Sequence, residues 1–519
     1  MAWYNEASFY HIYPLGLTGA PARSDGERPT ARLRSLWPWV DHMQDLGFTA
    51  LYIGPLFASE GHGYETTDYR VLDPRLGTNA DLQAFVAYCH SRQIRVVLDG
   101  VFNHTGRSFF AFQDLLARRE ASPYRDWYKV SFQGNNAHND GLWYETWGGY
   151  EELAKLNLQN PAVIDYHLDT VRRWVEEFDV DGLRLDAADV LDFGFMARLR
   201  QLADTLKPDF WLMGEVIHGD YGRWVGDGML HSVTNYRLGK ALYSAHNDHN
   251  YFEIAHTLDQ LGPLKDRLYN FADNHDVERI YTRLQNKTDF LPVQVLLFTL
   301  PGIPSVYYGS EFAISGKKLP GSDASLRPAL RLEDFQEDPH APLIRALARA
   351  RRDEPALRLG SYERLHLTTT QYAYARRWQD REVLVLANNA DEPAQLSLPV
   401  RYGAMRALLR GEVVRSENGR LAVPLGAHDA EVLLPPDAPA QQPLDRAILQ
   451  AATPAAAQTA PAPLPPAPDK PIAQMSVEEL QALILEKLAK NGPVTDRMRR
   501  EVAENRHLGS LQNWARSFR

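Results

Sequence analysis

Over residues 9–309 the chain repeats one grammar, a short apolar run followed by a longer amphipathic segment. The runs are FYHIYP (9–14), TALYIG (49–54), IRVVLDG (94–100), VDGLRLD (180–186), FWLMGE (210–215), SVTNY (232–236), LYNFADN (268–274) and IPSVYYG (303–309). Strands this apolar are buried on both faces, and amphipathic segments between them favour parallel pairing. The pattern predicts the α/β class, with β/α units around a parallel sheet; eight such units close into a (β/α)8, or TIM, barrel.

An unusually long interval, residues 104–160, separates the third run from the fourth and is rich in Trp, Tyr, Asn and Gly. Such length predicts a functional excursion from the barrel. The helix after it, VIDYHLDTVRRWVEEF (163–178), has Ile164, Leu168, Val171, Val175 and Phe178 near one stripe. Thr78 or Asn79 caps an earlier helix carrying Leu82, Phe85, Val86 and Cys89.

Beyond residue 355, which ends the expected barrel region, alternating segments such as QYAYARRW (371–378) and EVLVLANN (382–389) predict an antiparallel β-sandwich over 356–436. A Pro/Ala-rich linker (437–474) follows, and then a helical tail (475–519). In the tail Ser476 and Glu479 form a capping box, Leu480, Leu483, Ile484 and Leu488 a stripe, and Asn491-Gly492-Pro493 a stop. Its helices are a candidate surface for self-association.

The net charge of −10 argues against nucleic acid as a partner, because phosphate binding needs a concentrated basic surface. No apolar run reaches membrane-spanning length, and MAWYNEASFYHIYP lacks a basic region followed by a long apolar one, so the expectation is a cytoplasmic protein without a membrane partner. The single cysteine, Cys89, excludes an intramolecular disulfide and reads as a buried thiol. A neutral substrate suits this balance, and 11 Trp and 24 Tyr could stack on sugars, although most aromatics fill cores.

In a (β/α)8 barrel the C-terminal strand ends share one rim, where active sites of this architecture sit. Polar residues cluster at those ends: Asp99, Asn103 and His104 after the third strand, Arg184 and Asp186 at the fourth, Glu215 at the fifth, His275 and Asp276 after the seventh. Carboxylates on neighbouring strand tips suit glycosidic bond cleavage. Asp186 must be ionised to attack an anomeric carbon, and Arg184, two residues away on the same face, is placed to lower its pKa and orient it. Glu215 is the candidate general acid, with Trp211, Met213 and Val216 as apolar neighbours. Asp276 is placed to grip sugar hydroxyls, His104 and His275 to donate hydrogen bonds, and Tyr64 to offer a stacking face. Asp99 either braces a loop or touches substrate, and Asn103 reads as a brace. Any one of these alone is a weak signal, since Arg-x-Asp on a strand is more often a structural ion pair; four such sites in the right order on alternating β/α units are not.

Taken together, DGVFNH (99–104), GLRLDAAD (182–189), GEVIH (214–218) and FADNHD (271–276), with GYETTDY (63–69), DPRLGT (73–78) and PGIPSVYYGSE (301–311), resemble the α-amylase family of retaining glycoside hydrolases. The resemblance covers roughly residues 8–330, and the sandwich resembles the family's C-terminal domain. It implies Asp186 as nucleophile, Glu215 as acid/base, Asp276 as transition-state stabiliser, and Tyr64, His104, Arg184 and His275 as sugar-binding. AKLNLQNP (154–161) is similar to a segment of cyclomaltodextrinases, neopullulanases and maltogenic amylases, with Ala154 in place of their usual proline and Glu65 where aspartate is commoner. An oligosaccharide substrate and no cofactor are expected. Some relatives bind calcium at an Asp-rich loop after the first strand, but LGLTGAPARSDGERPT (15–30) lacks alternating acidic spacing, so no metal is expected, although Asn103 matches a calcium ligand of extracellular amylases. The competing readings are a transglycosylase using the same carboxylates and a noncatalytic scaffold of the same fold.

Overall fold

The computed structural model describes residues 2–24, 29–446 and scattered positions of the tail (477, 480, 481, 483–485, 502 and 511). The eight apolar runs form eight parallel strands: β1 (Phe9–Ile12), β2 (Ala50–Ile53), β3 (Arg95–Gly100), β4 (Gly182–Leu185), β5 (Trp211–Gly214), β6 (Ser232–Val233), β7 (Tyr269–Phe271) and β8 (Ile303–Tyr307). They pair in the order β6-β5-β4-β3-β2-β1-β8-β7. A parallel bridge between Thr234 and Tyr269 joins the two ends, and the Asn235 amide donates to the Tyr269 carbonyl at 2.8 Å. The sheet thus closes on itself as the expected (β/α)8 barrel.

Side chains from six of the eight strands form one buried cluster: Phe9, Ala50, Tyr52, Val97, Trp211, Met213, Tyr269, Phe271 and Ile303. Where Trp211 comes closest to β4, the facing residue is Gly182; a Cβ there would stand 2.6 Å from the Trp211 carbonyl oxygen and 3.0 Å from its Cβ. This close approach, rather than a turn, explains the glycine.

β6 and β7 are shorter than the apolar runs that contain them. Asn235 leaves the sheet to cap the helix Tyr236–Asn247, its side chain accepting the Leu238 amide at 3.1 Å, and residues after Phe271 turn toward the rim. The helix α1 (Asn79–Ser91) is capped by Thr78 through a reciprocal box with Asp81, and Cys89 is buried on it, its thiol pushed up by burial.

The helix α2 (Pro161–Phe178) buries Val163, Ile164, His167, Thr170, Val171, Trp174 and Phe178, whereas Leu168 and Val175, expected on the stripe, are only half-buried. Trp174 sets this rotation. Its ring stacks on Phe57 with centroids 4.3 Å apart, and its indole N–H donates to the Tyr69 carbonyl at 2.7 Å. The largest side chain is buried and bonded first, and the stripe turns to accommodate it.

The excursion after β3 contains the helix Phe110–Arg118 and a small antiparallel sheet in which Tyr150–Lys155 lies between His104–Thr105 and Thr146–Trp147. C-terminally, strands between Ser361 and Leu434 form a six-stranded antiparallel sheet and a two-stranded one, Ala394–Pro399 with Arg420–Leu425. Ala373, Leu384 and Leu386 of the larger sheet share a core with Leu396, Leu398, Leu421 and Val423 of the smaller, which makes the β-sandwich. As a separate unit, the tail contributes a cluster of Leu480, Ile484, Val502 and Leu511; Ser476, Glu479, Leu488, the Asn491-Gly492-Pro493 stop and most of the Pro/Ala-rich linker lie outside the described residues. Among the described residues no helix is long and apolar enough to cross a membrane.

Gly182→Ala forces β4 and β5 apart at a packed contact. The expected loss is about 1–3 kcal/mol of stability, measured as a lower midpoint of denaturant unfolding; an unchanged midpoint would show that the strands adjust freely.

Candidate active site

Parallel register puts Arg184 of β4 beside Asp99 of β3 on one side and Met213 of β5 on the other. Leu183 and Leu185 are fully buried on the opposite face of β4. The Arg184 side chain is 3% exposed and meets three carboxylates: Nη1 donates to Asp99 Oδ1 and to Asp186 Oδ1, each at 2.8 Å, and Nη2 lies 2.8 Å from Glu215 Oε2. Sheet-like backbone bonds hold the last two carboxylates at their strand tips, the Asp186 amide donating to the Gly100 carbonyl at 3.1 Å and the Glu215 amide to the Leu185 carbonyl at 2.9 Å.

Ala187 follows in the left-handed region, φ 48°. A non-glycine residue adopts this conformation at some cost. Here it goes with an Ala187 amide that donates to Glu215 Oε2 at 3.0 Å. Glu215 Oε1 receives the Tyr236 hydroxyl at 3.3 Å, and Asn274 Nδ2 donates to that hydroxyl oxygen at 3.2 Å.

A second network surrounds Asp276. The Asn274 side chain accepts the amides of Asp276 (2.9 Å) and Val277 (3.1 Å), which fixes the turn. Arg327 Nη2 donates to Asp276 Oδ1 at 2.8 Å, its Nε donates to the His275 carbonyl at 3.0 Å, and its guanidinium stands 4.6 Å from the Tyr13 ring centroid. His275 Nε2 lies 3.1 Å from Asp276 Oδ2, and its ring runs nearly parallel to those of Tyr13 and Tyr64. The Tyr64 hydroxyl joins the networks, contacting His275 Nε2 and donating to Asp99 Oδ2 at 3.2 Å. Tyr64, expected to offer a stacking face, is 8% exposed and packs beside His275.

Seven of the eight residues singled out from the sequence, Asp99, Arg184, Asp186, Glu215, Tyr64, His275 and Asp276, are thus tied together. The eighth, His104, stands on the excursion strand, its Nδ1 3.2 Å from Asn103 Nδ2 and its ring centroid 5.8 Å from that of Trp147. Arg327, Tyr13, Tyr236 and Ala187 were not anticipated. Tyr236 is the last residue of the sixth apolar run and was within reach of strand-end reasoning; Arg327 comes from a loop beyond β8 and carries no local signal.

The electrostatics depart from expectation at Asp186. Burial pushes its carboxyl well above the ordinary range; Arg184 opposes this, but Glu215 and Asp99 reinforce it. Three buried carboxylates compete for one guanidinium, so the cation that was expected to lower Asp186 does not prevail. Glu215 is also raised, by burial against Arg184. Burial works against the charged form of Arg184 too, yet Asp99 and Glu215 hold it well above its ordinary value. Asp276 behaves in the opposite way: burial pushes it up, but His275, Arg327, Arg184 and Lys318 together hold it at about 2. Burial drives His275 and His104 down to about 3, which leaves both rings neutral near pH 7 and makes Arg327 the nearest permanent cation to Asp276.

The calcium-ligand resemblance at Asn103 can be tested on its surroundings. Its Oδ1 is buried without a hydrogen-bond partner, but among the described residues no group of three or more His, Cys, Asp or Glu side chains converges to hold a metal. One amide oxygen alone does not make a hard-cation site.

Comparison with known proteins agrees with this architecture. The family described as alpha amylase, catalytic domain, matches residues 32–355, and the maltogenic amylase C-terminal domain matches residues 365–432. A cyclomaltodextrinase of Geobacillus thermopakistaniensis is 31% identical over 456 residues, covering 82% of this chain and 76% of its own. Neopullulanase 2 of Thermoactinomyces vulgaris is 30% identical over 463 residues, covering 83% and 78%. Among solved structures, a cyclomaltodextrinase superposes with a TM-score of 0.75 at 27% identity, covering 83% of this chain and 78% of that one.

Arg184→Met leaves three buried carboxylates without their cation and is expected to cost about 3–5 kcal/mol at pH 7. Asp186 and Glu215 already sit above their ordinary values, so they favour folding in their protonated forms, and that contribution declines as pH rises. Without the guanidinium the decline is steeper. Denaturant unfolding should therefore show a deficit that is large at pH 7 and shrinks toward pH 4; a deficit independent of pH would contradict the charge argument.

Proposed function

The chain belongs to the α-amylase family of glycoside hydrolases, and from that membership we propose that it is a retaining α-glucan hydrolase that cleaves α-1,4 and some α-1,6 glucosidic bonds in maltooligosaccharides or cyclomaltodextrins. The observation that carries the reading is the single Arg184 fork with Asp186 on one arm and Glu215 on the other. Retaining enzymes need their two carboxyl groups close together, whereas inverting enzymes must leave room for a water between nucleophilic and acidic groups. Two carboxylates sharing one guanidinium favour the short spacing.

In the proposed mechanism Arg184 engages Asp186 Oδ1, leaving Oδ2 to attack the anomeric carbon. Arg184 and the Ala187 amide both engage Glu215 Oε2, leaving Oε1 to carry the proton. As the Asp186–carbon bond forms and the glycosidic bond breaks, Glu215 gives that proton to the leaving oxygen. Water then attacks the same carbon, Glu215 takes its proton, and the Asp186–carbon bond breaks, which regenerates both groups. Asp276, held ionised at about 2, interacts with the sugar as positive charge develops on it. Asp99, whose oxygens accept Arg184, Tyr52 and Tyr64, holds the guanidinium in place.

Asp186 and Glu215 share one proton in the active state, and it must reside on Glu215. Both carboxyls are raised, so kcat/KM should follow a bell whose acid limb lies above 3.8, the ordinary aspartate value. An acid limb below that value would contradict the shared-cation account.

Incubation with maltotriose and analysis of the products tests the activity directly. Glucose and maltose are expected, and Glu215→Gln should lower kcat by about 100-fold or more. Longer or rearranged sugars as the main products would replace hydrolysis by transglycosylation. Full turnover by Glu215→Gln would remove the acid/base assignment.

A further inference from the structure

We propose that the turn Trp147-Gly148-Gly149-Tyr150 is an aromatic platform that binds a glucosyl ring of the substrate outside the buried carboxylate site and makes the enzyme favour longer chains. The inference rests on the proposed α-glucan activity and adds a binding site on the excursion.

Three observations carry it. Trp147 and Tyr150 are 37% and 60% exposed, among the most exposed large aromatics of the described residues. They flank a two-glycine turn with φ 59° at Gly148 and 82° at Gly149, backbone that favours glycine at both positions. A Cβ at Gly148 would lie 3.1 Å from the Tyr150 ring, so the glycine lets that ring fold back over the turn.

The turn is also physically continuous with His104. Trp147 pairs with Tyr150, the strand Tyr150–Lys155 pairs with His104–Thr105, and the Trp147 and His104 ring centroids are 5.8 Å apart. His104 is 1% exposed, and its Nε2 is buried without a hydrogen-bond partner. A buried donor or acceptor in this condition is costly unless a ligand satisfies it. His104 thus offers a polar group to a sugar hydroxyl where the aromatic surface begins.

The ring geometry defines how a sugar binds. Trp147 and Tyr150 are nearly parallel, 23° apart in plane, with centroids separated by 6.1 Å. A pyranose sandwiched between them would need about 7–8 Å, twice a carbon–carbon contact of ~3.5–4.0 Å. The pair therefore works as a floor: the apolar C–H face of one glucosyl unit lies on its outer surface while the hydroxyls remain in water. A neutral oligosaccharide matches this surface, which presents aromatic area and no charge from either side chain.

The test compares kcat/KM for maltohexaose with kcat/KM for maltotriose. In the double variant Trp147→Ala/Tyr150→Ala this ratio should fall by about tenfold, and Trp147→Phe, which keeps an aromatic floor, should retain most of it. Binding is read separately in Glu215→Gln, where maltohexaose should change the tryptophan emission and adding Trp147→Phe should abolish most of that change. An unaltered ratio together with unaltered emission overturns the platform, as does a change of oligomeric state on size exclusion without a change in the ratio, which would assign the aromatics to contact with a second copy. If the wild-type protein turns over no glucan, the functional reading fails on its own; the emission titration then still decides whether the platform binds maltohexaose.

Discussion

One guanidinium facing three carboxylates inside a barrel is the constraint on which the site depends. Arg184 reaches Asp99, Asp186 and Glu215 only because β3, β4 and β5 are neighbours in parallel register, with Arg184 level with Asp99. A slip of one residue on β4 would move the charged pair to the face that Leu183 and Leu185 bury. The hydrophobic exterior of that strand therefore fixes the electrostatic interior, and folding and chemistry are decided by the same alternation.

With only one cation for three acids, burial prevails and the carboxyls of Asp99, Asp186 and Glu215 are all raised above their ordinary values. The contrast with Asp276 is instructive. That carboxylate has Arg327 to itself apart from Asp323, which also contacts the guanidinium at 3.2 Å, and it stays ionised. Two groups on one rim are driven in opposite directions: His275, Arg327, Arg184 and Lys318 all lower Asp276, whereas Asp186 has Arg184 against burial, Glu215 and Asp99.

Much of this was legible in the sequence. Strand periodicity located all eight strands, and the polar residues at their C-terminal ends located six members of the linked networks, with Tyr64 added from GYETTDY, because all depend on local pattern. Arg327 was invisible because it reaches Asp276 across 51 positions through a loop, and Ala187 because a left-handed alanine looks like any other. The buried face of α2 was misjudged for a related reason: apolar character alone ranked Leu168 and Val175 above His167 and Trp174, whereas the fold required a large indole with a bonded N–H. The sign of the shift at Asp186 required a count of competing acids and their burial, which only three-dimensional packing supplies.

The barrel's closure has a consequence of its own. Every other neighbouring pair of barrel strands shares a ladder of at least two residue pairs, but β6 and β7 meet through the single Thr234–Tyr269 bridge and the bonds of Asn235 to Tyr269 and Asn270. A cylinder with one short seam has a preferred line along which to part, and thermal breathing concentrates where the fewest bonds must break. Tyr236, which touches Glu215, is the first residue past that seam. Glu215, the proposed acid/base, is therefore mechanically coupled to the least reinforced line of the wall, while Asp186 stands among fully laddered strands.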